Sequence, residues 1–265
     1  MVEHRTRKRF GQHFLHDQQI IDRLIRTLGL RPKDALVEIG PGRGALTYPL
    51  LAVRDHLDVV ELDRDLIALL RQEVPANRLT VHESDALKFD FRQLKPADRK
   101  LRVVGNLPYN ISTPLIFHLL SQADVISDMT FMLQKEVVDR LTASPGSKDW
   151  GRLAIMTQYH CHADALFDVP PGAFSPPPKV DSAVVRLTPH EHMPCVADDV
   201  GQLRKLVTHV FTQRRKAVRN GLKQWLDVDA IEALGIDPGC RPEQLSVRDF
   251  VTLANAHNRK ETRND

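Results

Sequence analysis

The 265-residue chain lacks any apolar run approaching the roughly 18 residues that a helical membrane span requires, so such a span is not expected. Its opening, MVEHRTRKRF, is basic but has no apolar core of the kind a secretory signal needs, and a cytoplasmic location is expected. Cysteine is scarce: Cys161, Cys195 and Cys240 are odd in number, far apart, and form no Cys-x-x-Cys pair at metal-ligand spacing. They read as reduced structural thiols. His160 and His162 flank Cys161, but at a helix-to-strand boundary their rings point apart, and no metal is expected. Internal repeats and low-complexity tracts are also missing. A strong excess of one charge is missing too, since the formal net charge of +3 does not by itself indicate a polyanionic partner.

What is present is an ordinary globular composition, 42% hydrophobic and 27% charged, in a chain long enough for one large α/β domain and a smaller second one. Basic residues are biased to two places. One is RTRKR at positions 5–9; the other runs from Arg204 to Lys223 and includes Lys205, Arg214, Arg215, Lys216 and Arg219 with no acidic residue between them. From about 35 to 134, short β-branched runs alternate with amphipathic stretches, the pattern of a parallel sheet covered by helices. Strands are expected at 35–39, 57–62, 79–82, 101–105 and 129–134, each bounded by Gly, Pro, Asp or Asn. Helices are expected near 44–52, 64–72 and 113–121, with another after Lys135. The run 182–187 follows FSPPPK, whose prolines lead into an extended segment, so the sheet is expected to end in antiparallel strands.

The segment 188–199 turns polar and proline-bearing, and beyond it Leu203, Leu206, Val207, Val210 and Phe211 recur at helical spacing. The expected architecture is therefore α/β: a Rossmann-like doubly wound sheet in residues 1–190, with a small helical domain in 191–265.

The first strand runs into GPGRG, placing Gly40, Gly42 and Gly44 at the strand-to-helix turn where open α/β sheets bind ligands. The second strand ends in Glu61-Leu62-Asp63, where a carboxylate can accept both hydrogen bonds of a ribose diol. The third ends in Ser84-Asp85, where another can accept from an adenine amino group. Together these describe an adenosine site. Glu38, just before the turn, disfavours the pyrophosphate of NAD and suits a cationic sulfonium with its ammonium group, which points to S-adenosyl-L-methionine, with S-adenosyl-L-homocysteine as product.

After the fourth strand comes Asn106-Leu107-Pro108-Tyr109. An adenine amino nitrogen is a poor nucleophile because its lone pair is delocalised into the ring, so both its N–H groups must be held by acceptors. The Asn106 side-chain oxygen and a main-chain carbonyl at Leu107 or Pro108 can do this, with Pro108 fixing the loop. Tyr109 can stack on a base withdrawn from its helix or loop, and Phe174, beside Pro176-Pro177-Pro178, is the expected second wall. The Tyr109 hydroxyl is expected to matter little.

Through RKRFGQHFLHD, EIGPGRGALT, ELD, SDAL, GNLPYNIST, FMLQKEV, FSPPPKVDS and the basic helical end, the chain resembles the ribosomal RNA adenine N6,N6-dimethyltransferases, most closely the bacterial small-subunit enzymes. The resemblance implies a methyltransferase domain with a cofactor site lined by His13, Leu15, Gly40, Gly42, Glu61, Asp85 and Asn106, and a target adenine held by Asn106 to Tyr109. It also implies a substrate of two adjacent adenines in the loop closing the last helix of the small-subunit (16S) RNA, each dimethylated within a nearly assembled 30S particle. A monomer without metal or membrane association is expected. Arg214, Arg215, Lys216 and Arg219 are expected to hold RNA phosphates, with Arg215 and Arg219 one helical turn apart. One departure stands out: His13 replaces the asparagine of the usual GQNFL, so a backbone contact there would survive but the asparagine side-chain contact would not. Two rivals remain, a large-subunit RNA methylase of the antibiotic-resistance type and a non-catalytic assembly factor.

Overall fold

The computed structural model describes residues 13–264. The basic stretch at 5–9 lies outside them. The chain divides into two compact units: residues up to 138 with 162–189, and 139–161 with 190 onward.

The first unit holds β1 (Phe14–Leu15), α1 (Gln18–Leu28), β2 (Ala35–Ile39), α2 (Thr47–Val53), β3 (Leu57–Glu61), α3 (Arg64–Glu73), β4 (Leu79–Glu83), β5 (Leu101–Asn106), α4 (Ser112–Leu120) and β6 (Ile126–Gln134). α5 (Lys135–Leu141) spans the division, and α6 (Arg152–His160) belongs to the second unit. The chain then returns through β7 (Cys161–Val169), β8 (Phe174–Ser175) and β9 (Ser182–Pro189). The second unit is completed by α7 (Val200–Thr212), α8 (Val218–Leu222), α9 (Val228–Ala233) and α10 (Val247–Asn264).

The main sheet runs β4-β3-β2-β5-β6-β9-β7. Strands β4 to β6 in this order pair parallel, and β9 joins β6 antiparallel, as expected from the proline-led run before it. The central strands read as near-continuous apolar runs because helices cover both faces of a doubly wound sheet. In β2, Leu36, Val37 and Ile39 are buried, as are Val59 and Val60 of β3 and Val103 and Val104 of β5. Chain order reverses at β2, from which β3 lies on one side and β5 on the other, so the crevice above its carboxyl end is the place for a ligand. Gly105 permits the close approach there: a Cβ on it would lie 2.5 Å from the Ile39 carbonyl oxygen.

Two features differ from expectation. β7 carries little strand signal in the sequence, because the alternate positions that bury Cys161, Phe167 and Val169 hold the small Ala163 and Ala165 between them, and alanine is a weak strand former. Segment 139–161, expected with the sheet, groups with the helical unit. There, α6 packs on α7 and α10, the Trp150 indole N–H donates to the Leu245 carbonyl at 2.9 Å, and Gly146 N–H donates to Glu243 O at 2.6 Å. No change in composition marks that crossing. α7 meets expectation, burying Leu203, Leu206, Val207 and Val210 behind an Asp199 cap that accepts from Gly201 and Gln202 N–H.

Candidate active site

A cavity of about 340 Å³ opens at the carboxyl ends of β2, β3, β4 and β5, within the size range of small-molecule sites. The turn after β2 forms its floor. Gly40 (φ 65°) and Gly42 (φ 57°) occupy left-handed backbone that a side chain would strain, and both line the cavity.

Three carboxyl groups stand around this turn. Glu61 accepts from the N–H groups of Leu62 (2.8 Å) and Asp63 (2.9 Å) through one oxygen, and from Gly42 N–H (3.4 Å) through the other. Burial raises its pKa, against the lowering effect of those N–H groups. Asp63 is 4% exposed; one oxygen caps α3 by accepting from Asp65 N–H at 3.0 Å, and the other is buried without a partner among the described residues. Glu38 is fully buried and accepts from the Thr47 hydroxyl at 2.7 Å. Burial, with the nearby charge of Glu61, pushes it up to about 8 against that bond. Hydroxyl and main-chain donors thus hold the two glutamates. A ribose diol or a positive group brought to this end would be stabilised.

Asp85, at the end of β4, also lines the cavity, and one of its oxygens accepts from Leu87 N–H at 3.0 Å. Leu62 goes beyond the expected residues: it lines the same wall and is 50% exposed, a large apolar side chain offered to a flat ring between the two acids. An apolar residue wedged between Glu61 and Asp63 at a strand end was the available signal.

At the other end, the Asn106 amide nitrogen donates to the His13 carbonyl at 3.1 Å. That bond determines which end of the carboxamide is committed, and leaves Oδ1 as the acceptor for a target amine. Leu107 N–H donates to Met132 O at 3.1 Å, and the Pro108 carbonyl accepts from Ile111 N–H at 3.2 Å, which favours the Leu107 carbonyl as second acceptor. Tyr109 stands beside them, its hydroxyl 2.6 Å from Ser182 Oγ. Burial raises its pKa, against the Ser182 bond. The hydroxyl is therefore engaged within the fold.

His13 and Leu15 both line the cavity. The His13 ring bonds through Nδ1 to the Pro176 carbonyl at 2.7 Å, so Nδ1 carries a proton, and its centroid lies 5.5 Å from that of Tyr109. The His13 backbone carbonyl accepts from Asn106, and its ring bonds Pro176 and lies beside Tyr109.

Phe174 does not form the expected second wall. It is 2% exposed, pairs with Leu15 in the β1–β8 ladder, and packs in the hydrophobic core with Ile21, Leu24 and Val184. Its apolar ring is better satisfied by that core than by a solvent-open cavity.

The basic residues of the second unit also divide. Arg214, Arg215 and Lys216 lie in the turn after α7, and Arg219 is on α8, so Arg215 and Arg219 do not share one helix as expected. Arg214 is committed internally: it pairs with Glu243 at 2.8 Å and donates to the Lys148 carbonyl at 2.6 Å. Arg215, Lys216 and Arg219 are exposed, with no ion pair among the described residues.

A doubly wound sheet, a glycine turn, acids closing successive strands and an Asn-x-Pro-Tyr loop over one cavity define a Rossmann-like methyltransferase. The family model for ribosomal RNA adenine dimethylase matches residues 3–259, and the chain belongs to this family. A relative in Alcanivorax borkumensis called ribosomal RNA small subunit methyltransferase A is 74% identical over 255 residues, covering 96% of this chain and 91% of that protein. The protein of the same name in Pseudomonas aeruginosa is 59% identical, covering 96% of each. Among solved structures, a dimethyladenosine transferase from Plasmodium falciparum superposes with a TM-score of 0.81 at 28% identity, covering 94% of this chain and 98% of that one. The 23S rRNA methyltransferase ErmE superposes at 0.72 with 25% identity, covering 92% and 99%.

Proposed function

We infer that this chain transfers methyl groups from S-adenosyl-L-methionine to N6 of two adjacent adenines in the 3′-terminal helix loop of small-subunit (16S) rRNA, dimethylating each. The observation that carries this reading is the Asn106 carboxamide, turned by the His13 carbonyl so that its oxygen is left for a target amine, beside Tyr109 in the same cavity as Glu61 and Asp85. The high identity to relatives named for the small subunit supports the choice of RNA.

The residues of the cavity fit the methyl donor. Glu61 would hold its ribose diol and Asp85 its adenine amino group, Leu62 would lie against the base, and Gly40 and Gly42 let the backbone come close. Glu38 would regain its charge beside a cationic group. When bound, the donor supplies an electrophilic methyl on a sulfonium. Asn106 Oδ1 and the Leu107 carbonyl accept the two N–H bonds of the adenine amine, turning its lone pair out of the ring, and Tyr109 stacks on the base. Such positioning contributes roughly 7–11 kcal/mol toward the barrier. No general base is needed, because the methylated nitrogen is cationic and its proton is acidic enough to leave to water. Arg215, Lys216 and Arg219 would contact RNA phosphates, and the enzyme would act as a cytoplasmic monomer on a nearly assembled 30S particle.

Incubating the protein with labelled S-adenosyl-L-methionine and unmodified small subunits, followed by nucleoside analysis, tests this. Labelled N6,N6-dimethyladenosine in 16S RNA is expected. In a parallel incubation with unmodified large subunits, label in 23S RNA without label in 16S RNA would favour the large-subunit reading that the likeness to ErmE also supports, and no transfer to either would favour an assembly factor.

A further inference from the structure

The acceptor loop is tied at three points to segments far away in sequence. Asn106 is held by the His13 carbonyl, Leu107 N–H by Met132 O on β6, and the Tyr109 hydroxyl by Ser182 Oγ at the start of β9. Ser182 is fully buried, and it pairs with Gln134 in the β6–β9 ladder, so its position is set by the sheet. Its bond is the shortest of the three at 2.6 Å and the one between two side chains. Tyr109 cannot drift toward or away from the base while that bond holds.

The two methyl transfers make different demands on this loop. In the first, the adenine amine has two N–H groups and two acceptors, so hydrogen bonds alone orient it. After one transfer a single N–H remains for two acceptors, and one of the fixed orientations is lost. The placement of the once-methylated base then depends more on the ring it stacks against. We propose that Ser182 is a positioning residue that acts through Tyr109 to secure the second methyl transfer. This rests on the dimethyltransferase reading above. The same argument gives the His13 ring, which is held by Pro176 and lies beside Tyr109, a lesser share.

The test is the ratio of N6-monomethyladenosine to N6,N6-dimethyladenosine in unmodified small subunits, measured at equal total methyl incorporation for the wild type, Ser182→Ala, Tyr109→Phe and the double variant. Each single variant is expected to raise the monomethyl fraction roughly 2- to 12-fold, corresponding to one neutral hydrogen bond. The double variant should match either single one, because both remove the same bond. A wild-type ratio in both single variants would overturn the proposal, as would effects that add in the double variant. Thermal unfolding checks that Ser182→Ala folds; if it does not, Tyr109→Phe decides alone, since it leaves β9 intact. Failure of the wild type to methylate adenine at all would instead overturn the function on which the proposal rests.

Discussion

The two ends of the parallel sheet treat charge in opposite ways. At the amino end, Arg102 near the start of β5 is 14% exposed and donates to Asp34 at 2.6 Å, to Asp128 at 2.7 Å and to the Leu28 carbonyl at 2.6 Å. Burial works against the ionisation of Asp34, but the Arg31 N–H and the Arg102 guanidinium outweigh it and hold its carboxyl below the usual range. At the carboxyl end, Glu38 and Glu61 are pushed upward by burial, and one oxygen of Asp63 has no partner among the described residues. Charges at the first end complete each other within the fold. Those at the second are held by hydroxyl and main-chain donors, and on the function proposed above would be completed by the bound methyl donor. The same division recurs in the helical unit, where Arg214 is paired and Arg215 and Arg219 are exposed.

The contrast is tested most sharply at Asn106. Asn106→Ala deletes an acceptor aimed at the reacting amine, and kcat is expected to fall roughly 100- to 1,000-fold. The donor Kd, measured by calorimetry, should stay within a few fold; turnover near wild type would remove the proposed role. At the opposite end, Arg102→Ala strands two carboxylates, and urea unfolding should show a loss of about 3 kcal/mol with no specific effect on donor affinity. Glu61→Ala should do the reverse, weakening donor binding by roughly 1.5–3 kcal/mol for hydrogen bonds to a charged group. Unchanged calorimetric affinity would place the ribose elsewhere.

In the helical unit, the Arg215→Gln, Arg219→Gln double variant should weaken binding to small subunits and reduce the log–log salt slope by about 1 for each phosphate that is no longer neutralised. Arg214→Gln should lower stability and leave that slope alone. Equal slopes for wild type and the double variant would move the RNA-binding surface away from this turn.

The last expected effect is a pH dependence. Glu38 stays protonated in the folded protein up to about 8, whereas in the unfolded chain it ionises near 4.5. Between those values the folded state binds the extra proton, so this residue makes stability fall as pH rises through that window. Glu38→Gln should flatten that part of the Tm-versus-pH curve in the free protein, and a curve that keeps its slope would assign the slope to other groups.

Much of the site was legible because its signals are local. Glycines before a helix, an acid closing a strand and Asn-x-Pro-Tyr are each written in consecutive residues, and strand and helix periodicities placed the core elements to within a few residues. Leu62, Ser182 and the fate of Phe174 were harder. An apolar residue, a serine and a phenylalanine each suit a core or a cavity, and only the surroundings choose between them.

The sequence by itself thus determined the alternation of strands and helices from β2 to β6, the glycine turn after β2 and the acids around it, since backbone sterics and side-chain periodicity act over a few residues. Only the tertiary structure decided that His13, Pro176 and Ser182 meet Asn106 and Tyr109, that 139–161 leaves the sheet unit, that Phe174 turns into the core, and that Arg214 finds Glu243. Each of these joins residues distant along the chain. Whether a side chain faces a cavity, a core or an opposite charge depends on what packing brings beside it.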